Sequence, residues 1–258
     1  MNNFFVFHGI DHKVGTTMIS QSVAEYISNN YDDLKVLFMT LNGRESTEYI
    51  KDIPETIEGI KIHIDNKMLR IEDFKRACKI TDSLYILAGI TNELEKRYYY
   101  PDTVSYLLSA VASYFEVIII DSGNEIDNGL AVGSLSSTDN KFLIITQNES
   151  TLKRWERMKP IYNKLEIYFN RFIVNKFDNK DPFSLNYIMQ RFELLKPNML
   201  KVERTDYDRQ AEMDYKTLLE YRNEKYNHDI EELSNIILTK IGKPIKKKQR
   251  KNIWRSFI

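Results

Sequence analysis

Six short apolar runs, each followed by a stretch of helical periodicity, constrain this chain more than any other feature. The runs are FFVF (Phe4–Phe7), KVLFMTL (Lys35–Leu41), LYILAG (Leu84–Gly89), VIIID (Val117–Asp121), KFLIIT (Lys141–Thr146) and RFIVN (Arg171–Asn175). They have strand length and do not alternate apolar with polar, so each strand is expected to be buried on both faces. Between them, TTMISQSVAEYI, PDTVSYLLSAVASYF and ESTLKRWERMKPIYNKL read as helices. The first sets Met18, Ile19, Val23 and Ile27 close to one face, and the second offers Asp102 as an N-cap after Pro101. Alternation of this kind predicts an α/β fold with a mostly parallel sheet and helices on both faces. Such sheets bind ligands at the carboxyl ends of their strands. The loops that begin at Gly9, Thr40, Asp121 and Asn175 are therefore the candidate site.

From about Pro182 the pattern becomes helical, in DPFSLNYIMQRFELL, DYKTLLEYRNEKY and DIEELSNIILTKIG, with LKVERT (Leu200–Thr205) as a short edge strand. No internal repeat and no low-complexity linker interrupts the chain. The expected organisation is one domain over residues 1–241 and a tail over residues 242–258.

Composition narrows the class. With 42% hydrophobic and 29% charged residues the chain reads as soluble and globular. No apolar run has membrane-spanning length and the start lacks a signal-peptide pattern, so the expected compartment is the cytoplasm. The single cysteine, Cys78, excludes an internal disulfide and a cysteine-based zinc site, and its place in IEDFKRACK marks it as a packing thiol. The four histidines, His8, His12, His63 and His228, lack metal-ligand spacing. His8 and His12 flank the first candidate loop, within reach of a phosphate, although His8 also simply ends its strand. The tyrosines Tyr98–Tyr100 read as packing or dimer surface, and no Ser/His/Asp triad or glycosidase-type carboxylate pair is present.

The loop GIDHKVGTT (Gly9–Thr17) joins an apolar strand to an amphipathic helix. That context suits a phosphate: amide N–H groups at a helix N-terminus point at the anion and the helix dipole favours its charge. Gly15 lets the backbone approach closely, and Thr17 stands where the Ser or Thr of a Walker A motif ligates magnesium. An ordinary strand–helix turn with a threonine cap fits the same nine residues equally well. VIIIDSG adds a Walker B-like strand, with Asp121 placed to hold magnesium through water, or else to cap the segment that follows.

Taken in order, VFHGIDHKVGTTMISQSVAEYI, VLFMTLNG, LYILAG, FEVIIIDSG, FLIITQNESTLKRWERM and FIVNKF resemble the MinD/ParA family of deviant Walker A ATPases, over roughly Phe4 to Ile241. The resemblance implies a three-layer, P-loop NTPase-like fold and a nucleotide-dependent homodimer that sandwiches two ATP molecules. It implies that His12, Lys13, Val14, Gly15, Thr16, Thr17 and Met18 contact the nucleotide, that Thr17 and Asp121 hold Mg2+, and that Asn175 recognises adenine. A strand-ending asparagine is also an ordinary turn former. The departures are specific. Family members read KGGxGKTT, whereas Asp11 and Thr16 replace the two lysines here. The family's second strand ends in Asp-x-Asp, whereas Thr40 and Asn42 stand here. Phosphoryl transfer rests on positioning and charge stabilisation, so these replacements spare binding more than hydrolysis. Within the family, the lysine-free GTT loop is most similar to the TadZ/CpaE branch, which localises and assembles Tad-type pili. Many members of that branch carry an additional N-terminal receiver-like domain, for which this chain has no room.

Net charge is zero, yet residues 242–258 hold seven Lys and Arg and no acid. With those seven set aside from the 37 basic residues, 30 basic face 37 acidic. In IKKKQRKNIWRSFI, Ile253, Trp254, Phe257 and Ile258 recur at helical spacing behind a basic turn. Lys246–Ile258 is thus a candidate for an anionic membrane surface or for a protein partner, with nucleic acid a weaker third. MinD is similar in ending with a short amphipathic membrane-targeting segment. The expected function is a nucleotide-binding localisation or assembly factor for a pilus or secretion apparatus, cytoplasmic and peripheral at the inner face of the membrane, with weak or no hydrolysis. The alternative is an active ATPase that positions DNA or a division apparatus.

Overall fold

The computed structural model describes residues 3–52 and 54–245; the tail segment Lys246–Ile258 lies outside the described residues. The chain runs β1 (Phe4–Gly9), α1 (Thr16–Asn30), β2 (Val36–Thr40), β3 (Glu55–Thr56), α2 (Lys61–Asp65), α3 (Ile71–Cys78), β4 (Leu84–Ala88), α4 (Pro101–Val111) and β5 (Val117–Asp121). It continues through α5 (Gly129–Ser136), β6 (Asn140–Ile145), α6 (Glu149–Lys164), β7 (Arg171–Phe177), α7 (Leu185–Phe192), β8 (Met199–Glu203), α8 (Asp208–Asp214) and α9 (Glu224–Lys240). The strands form one sheet in the order β3-β4-β2-β5-β1-β6-β7-β8, and every pairing in it is parallel.

The strand sequences are apolar throughout because each inner strand feeds two cores. Phe4 and Val6 of β1 face a core built with α4, α6 and α7, including Leu107, Trp155 and Phe192. Phe5 and Phe7 face the opposite core, closed by Ile19, Val23 and Ile27 of α1 and Ile230, Leu233 and Ile237 of α9. The expected three layers are therefore present. Cys78 is buried in the first core, where burial pushes its thiol up, away from reactivity.

Several local expectations change. Asp102 does not cap its helix: Pro101 occupies the first turn and Tyr100 is the extended residue before it, the position proline's fixed φ favours. DYKTLLEYRNEKY is not one helix. Tyr215 turns left-handed (φ 53) and ends α8, a 3-10 turn spans Leu218–Glu220, and α9 restarts behind Asn223, whose side chain accepts the Tyr226 N–H. β3 has two residues, too few to show any periodicity. His8 neither ends β1 nor reaches a phosphate. It is fully buried, with Nδ1 3.0 Å from Ser122 Oγ and Nε2 2.9 Å from Tyr162 Oη. Burial pushes it down to about 3, so the ring is neutral. The tyrosine run divides, with Tyr99 buried and Tyr98 and Tyr100 exposed.

Candidate functional site

Strand order places the site. β1 lies between β5 and β6, so the loop after β1 opens beside the end of β5. Gly9 N–H donates to Gly123 O at 2.6 Å and Ile10 N–H to Ile144 O at 2.9 Å, anchoring the loop on both sides. Lys13 is left-handed (φ 58). Gly15 is left-handed too (φ 90), and α1 starts behind it without any side-chain cap. The first bonded amide of the helix is Ile19 N–H, which donates to Gly15 O. Thr16, Thr17 and Met18 therefore present the orphan N–H groups of a helix start, the donor set an anion needs.

Asn175 fixes the loop from the far side. Its Nδ2 donates to Val14 O at 2.7 Å, and a β-carbon added to Gly15 would lie 2.3 Å from that nitrogen. Asn175 is inside β7, which continues to Phe177, so the turn-former reading of this residue is corrected. Thr16, at the lysine position, is buried, and its Oγ1 would lie 2.3 Å from a β-carbon on Gly9. A short, packed hydroxyl stands there in place of a long cation.

The second cluster surrounds Asp121. Thr17 Oγ1 donates to Asp121 Oδ2 at 2.6 Å and Gly123 N–H to Oδ1 at 2.8 Å. Asn42 Nδ2 donates to Ser46 Oγ at 2.7 Å and lies 3.4 Å from Asp121 Oδ2. Its amide thus faces the carboxylate as a neutral donor, where a second carboxylate would repel. Thr40 is in register with Asp121, and its Oγ1 is buried with no hydrogen-bond partner among the described residues. Burial raises the Asp121 carboxyl to about 6 against the lowering hydrogen bonds from Thr17 and Gly123; the nearby Glu48 also raises it and Asn42 lowers it. Stability from this group is fully present below its ordinary value and is lost as pH rises through about 6. A divalent cation needs the carboxylate, so magnesium-dependent nucleotide binding is expected to strengthen from about pH 5 to pH 7 and then level off. Affinity titrations across that range check this; a flat profile would remove Asp121 from the metal site.

Around these lies a cleft of about 570 Å³, lined by Lys13, Thr17, Asn42, Arg44, Tyr49 and Lys176 among others. Its walls carry the carboxylates Asp11, Glu45, Glu48, Glu93 and Glu212 against the cations Lys13, Arg44 and Lys176. A polyphosphate therefore requires a divalent cation to be held there, and Thr17 with Asp121 supplies hard oxygen donors of the kind magnesium takes. The uncapped amides, the glycine approach and this oxygen pair fit a magnesium nucleotide. A second cleft of about 500 Å³ lies at the start of β6 and β7 under α9, at the opposite ends of the strands from this loop.

The remaining loop residues are placed as follows. Asp11 Oδ1 accepts the His12 N–H at 2.8 Å and lies 3.7 Å from Arg154 Nε, which itself donates to Ile10 O at 2.7 Å. His12 turns toward Glu125, 3.4 Å away, which also meets Arg44 at 3.4 Å and Lys96 at 3.5 Å. Lys13 lines the cleft and has no ion pair among the described residues. Sequence reasoning missed Arg44, Lys96, Glu125 and Arg154. Arg44 alone had a local signal, two residues beyond Asn42 in a loop already under suspicion.

The fold is α/β and P-loop NTPase-like. More narrowly, the fold is that of the ParA and MinD ATPases. No protein-family model matches the chain, and no curated protein matches it in sequence. Among solved structures, it is similar to a ParA family ATPase from Chlorobium tepidum TLS, with 17% identity and a TM-score of 0.79, covering 91% of this chain and 99% of that one. It is similar to the septum site-determining protein MinD complexed with Mg-ADP from Pyrococcus horikoshii OT3, with 11% identity and a TM-score of 0.68, over 92% and 98% of the two chains. The MinC:MinD cell division protein complex of Aquifex aeolicus gives 14% identity and a TM-score of 0.70, over 96% and 99%. At these identities the likeness is one of fold.

Proposed function

We propose that this chain is a MinD/ParA-type protein that binds a nucleoside triphosphate with magnesium, dimerises in response, and positions a protein assembly, with hydrolysis slow or absent. The observation that carries the reading is the uncapped start of α1 behind left-handed Gly15, with Thr17 Oγ1 2.6 Å from the Walker B-like Asp121. Thr16, Thr17 and Met18 offer amides to phosphate, and Thr17 with Asp121 would hold the metal. Bound magnesium supplies charge neutralisation along the phosphates. The solved MinD with Mg-ADP, similar in fold, supports the same cargo.

The weak-hydrolysis part rests on what occupies the cationic and acidic positions. Thr16 is a packed hydroxyl, Asp11 a carboxylate beside Arg154, and Thr40 and Asn42 are neutral. Each lost charge-stabilising donor costs roughly 10²–10³ in turnover. Magnesium-dependent binding with turnover lower than that of lysine-bearing relatives by at least about 10²-fold is the expected result. Turnover equal to theirs would favour the second reading, an active positioning ATPase, for which Lys13, cleft-lining and without an ion pair among the described residues, is the supporting group. Lys13→Ala would then abolish it. Light scattering with and without a non-hydrolysable triphosphate tests the dimer, and an unchanged mass would count against it.

The pilus or secretion assignment follows the lysine-free GTT loop and its resemblance to the TadZ/CpaE branch. Among the described residues, no helix is long and apolar enough to cross a membrane. A cytoplasmic protein held at the membrane through Lys246–Ile258 remains part of the proposal, tested by liposome co-sedimentation of the chain with and without that segment.

A further inference from the structure

The second cleft, of about 500 Å³, lies under α9 at the starts of β6 and β7, at the opposite ends of the strands from the α1 amides. Its wall differs in charge from that of the first. Lys141, Arg171 and Lys240 line it and, among the described residues, no carboxylate does. Side chains alternate along a strand. Arg171 shares the parity of Ile173, which packs in the core that α9 closes. Phe5 and Phe142 rise on that same face as a buried apolar floor. Lys141 has the parity of Leu143, on the opposite face, which leaves Arg171 and Lys240 as the cations facing a ligand. We propose that this cleft binds a small organic carboxylate with an apolar body.

The guanidinium of Arg171 carries the argument. Its Nη1 donates to Asn170 O at 3.1 Å and to Asn198 Oδ1 at 2.8 Å. Among the described residues, Nε is buried with no hydrogen-bond partner and no bond engages Nη2. One nitrogen is thus fixed while the Nε–Nη2 edge is left unmatched. That edge carries two parallel N–H donors at the spacing of a carboxylate's two oxygens, a geometry that a lysine does not reproduce. A buried donor without a partner costs stability, so an oxyanion placed there offsets a cost already present in the fold. The bonds at Nη1 hold the fork in advance, so little side-chain freedom is lost on binding. Lys240, exposed at the end of α9, adds positive charge at the rim. The two phenylalanines, with Ile236 and the lip residue Ile245, ask for a hydrocarbon body behind the carboxylate. A nucleic-acid backbone is matched by a run of cations; two cations over a phenylalanine floor are not such a run.

The test is calorimetric titration of the full chain with naphthoate, with the neutral naphthylmethanol of nearly the same shape, and with inorganic phosphate. Naphthoate is expected to bind about tenfold or more tighter than the alcohol, the worth of one charged, bidentate contact, and phosphate more weakly than naphthoate. Arg171→Gln should erase the preference for naphthoate, while Arg171→Lys, which keeps the charge without the fork, should retain only part of it. Circular dichroism melting shows whether these variants fold, since Arg171 also bonds Asn198. Should they not, the exposed Lys240→Glu keeps the test: naphthoate should weaken severalfold with the alcohol unchanged. Equal affinity for naphthoate and the alcohol, or no binding of either, overturns the proposal. Naphthoate binding unchanged in the folded Arg171 variants, or in Lys240→Glu where those do not fold, places it elsewhere and also overturns it. Phosphate binding as tight as naphthoate removes the apolar body. Displacement of naphthoate by a short DNA duplex would make this face a nucleic-acid surface and overturn the small-molecule assignment.

Discussion

Replacing Gly15 by alanine is expected to lower stability by about 2–3 kcal/mol and to weaken nucleotide binding. Two costs add. A left-handed non-glycine residue costs roughly 1–2 kcal/mol. The new β-carbon also meets Asn175 Nδ2 at 2.3 Å and drives it from the Val14 carbonyl, a further loss of about 1 kcal/mol. The loop then loses both its approach to phosphate and its brace. Gly242 is the internal comparison, because it is left-handed (φ 75) with nothing among the described residues within 4 Å of an added β-carbon. Gly242→Ala should cost only the conformational part, about 1–2 kcal/mol. Urea unfolding of the two variants decides: equal destabilisation would mean that the Asn175 contact contributes nothing.

Thr40→Asp is expected to make folding depend on magnesium. Thr40 is fully buried and in register with Asp121 on the neighbouring strand, so both side chains rise from the same face of the sheet. A second carboxylate there, without a metal, leaves an uncompensated buried charge worth roughly 3 kcal/mol or more of instability. Part of that is relieved by protonation, since like-charged neighbours raise one another's pKa. A divalent cation between the two would reverse the sign of the interaction. The expected result is a melting temperature well below that of the parent in chelator and restored by millimolar magnesium plus nucleotide. Insensitivity of the variant to magnesium would place the metal elsewhere.

The layers and most strands were legible because the inner strands are buried twice over. FFVF and VIIID cannot be half-exposed strands, and their burial on both faces fixes a parallel sheet under two helical layers. What could not be read were features whose partners are remote in sequence. His8 looks like a loop-flanking histidine until Ser122 and Tyr162 close around it from 114 and 154 residues away. Asn175 looks like a turn residue, because nothing local says that β7 runs two residues further and that its amide reaches Val14. The loop geometry was legible at Gly15, Thr17 and Asp121, whose placement depends on backbone conformation and strand position. It was not legible at Arg154 and Glu125, which approach the loop from α6 and from the segment after β5. The error over DYKTLLEYRNEKY has a different cause. Its apolar spacing is helical, but Tyr215 adopts φ 53 and the tertiary packing of Leu218 overrides the pattern.

The central place of β1 has a consequence for how the chain is made. Its two neighbours are β5, which begins at Val117, and β6, which ends at Ile145. When the first strand leaves the ribosome, neither flank yet exists, and FFVF carries three phenylalanines with nothing to pair against. At ordinary synthesis rates, on the order of ten seconds pass before residue 145 is added. During that interval an apolar, uncharged strand segment of the kind that aggregates is also the one that will carry the loop. Among the described residues, α1 is an early element that packs against this strand, and it is the segment placed to shield β1 while it waits.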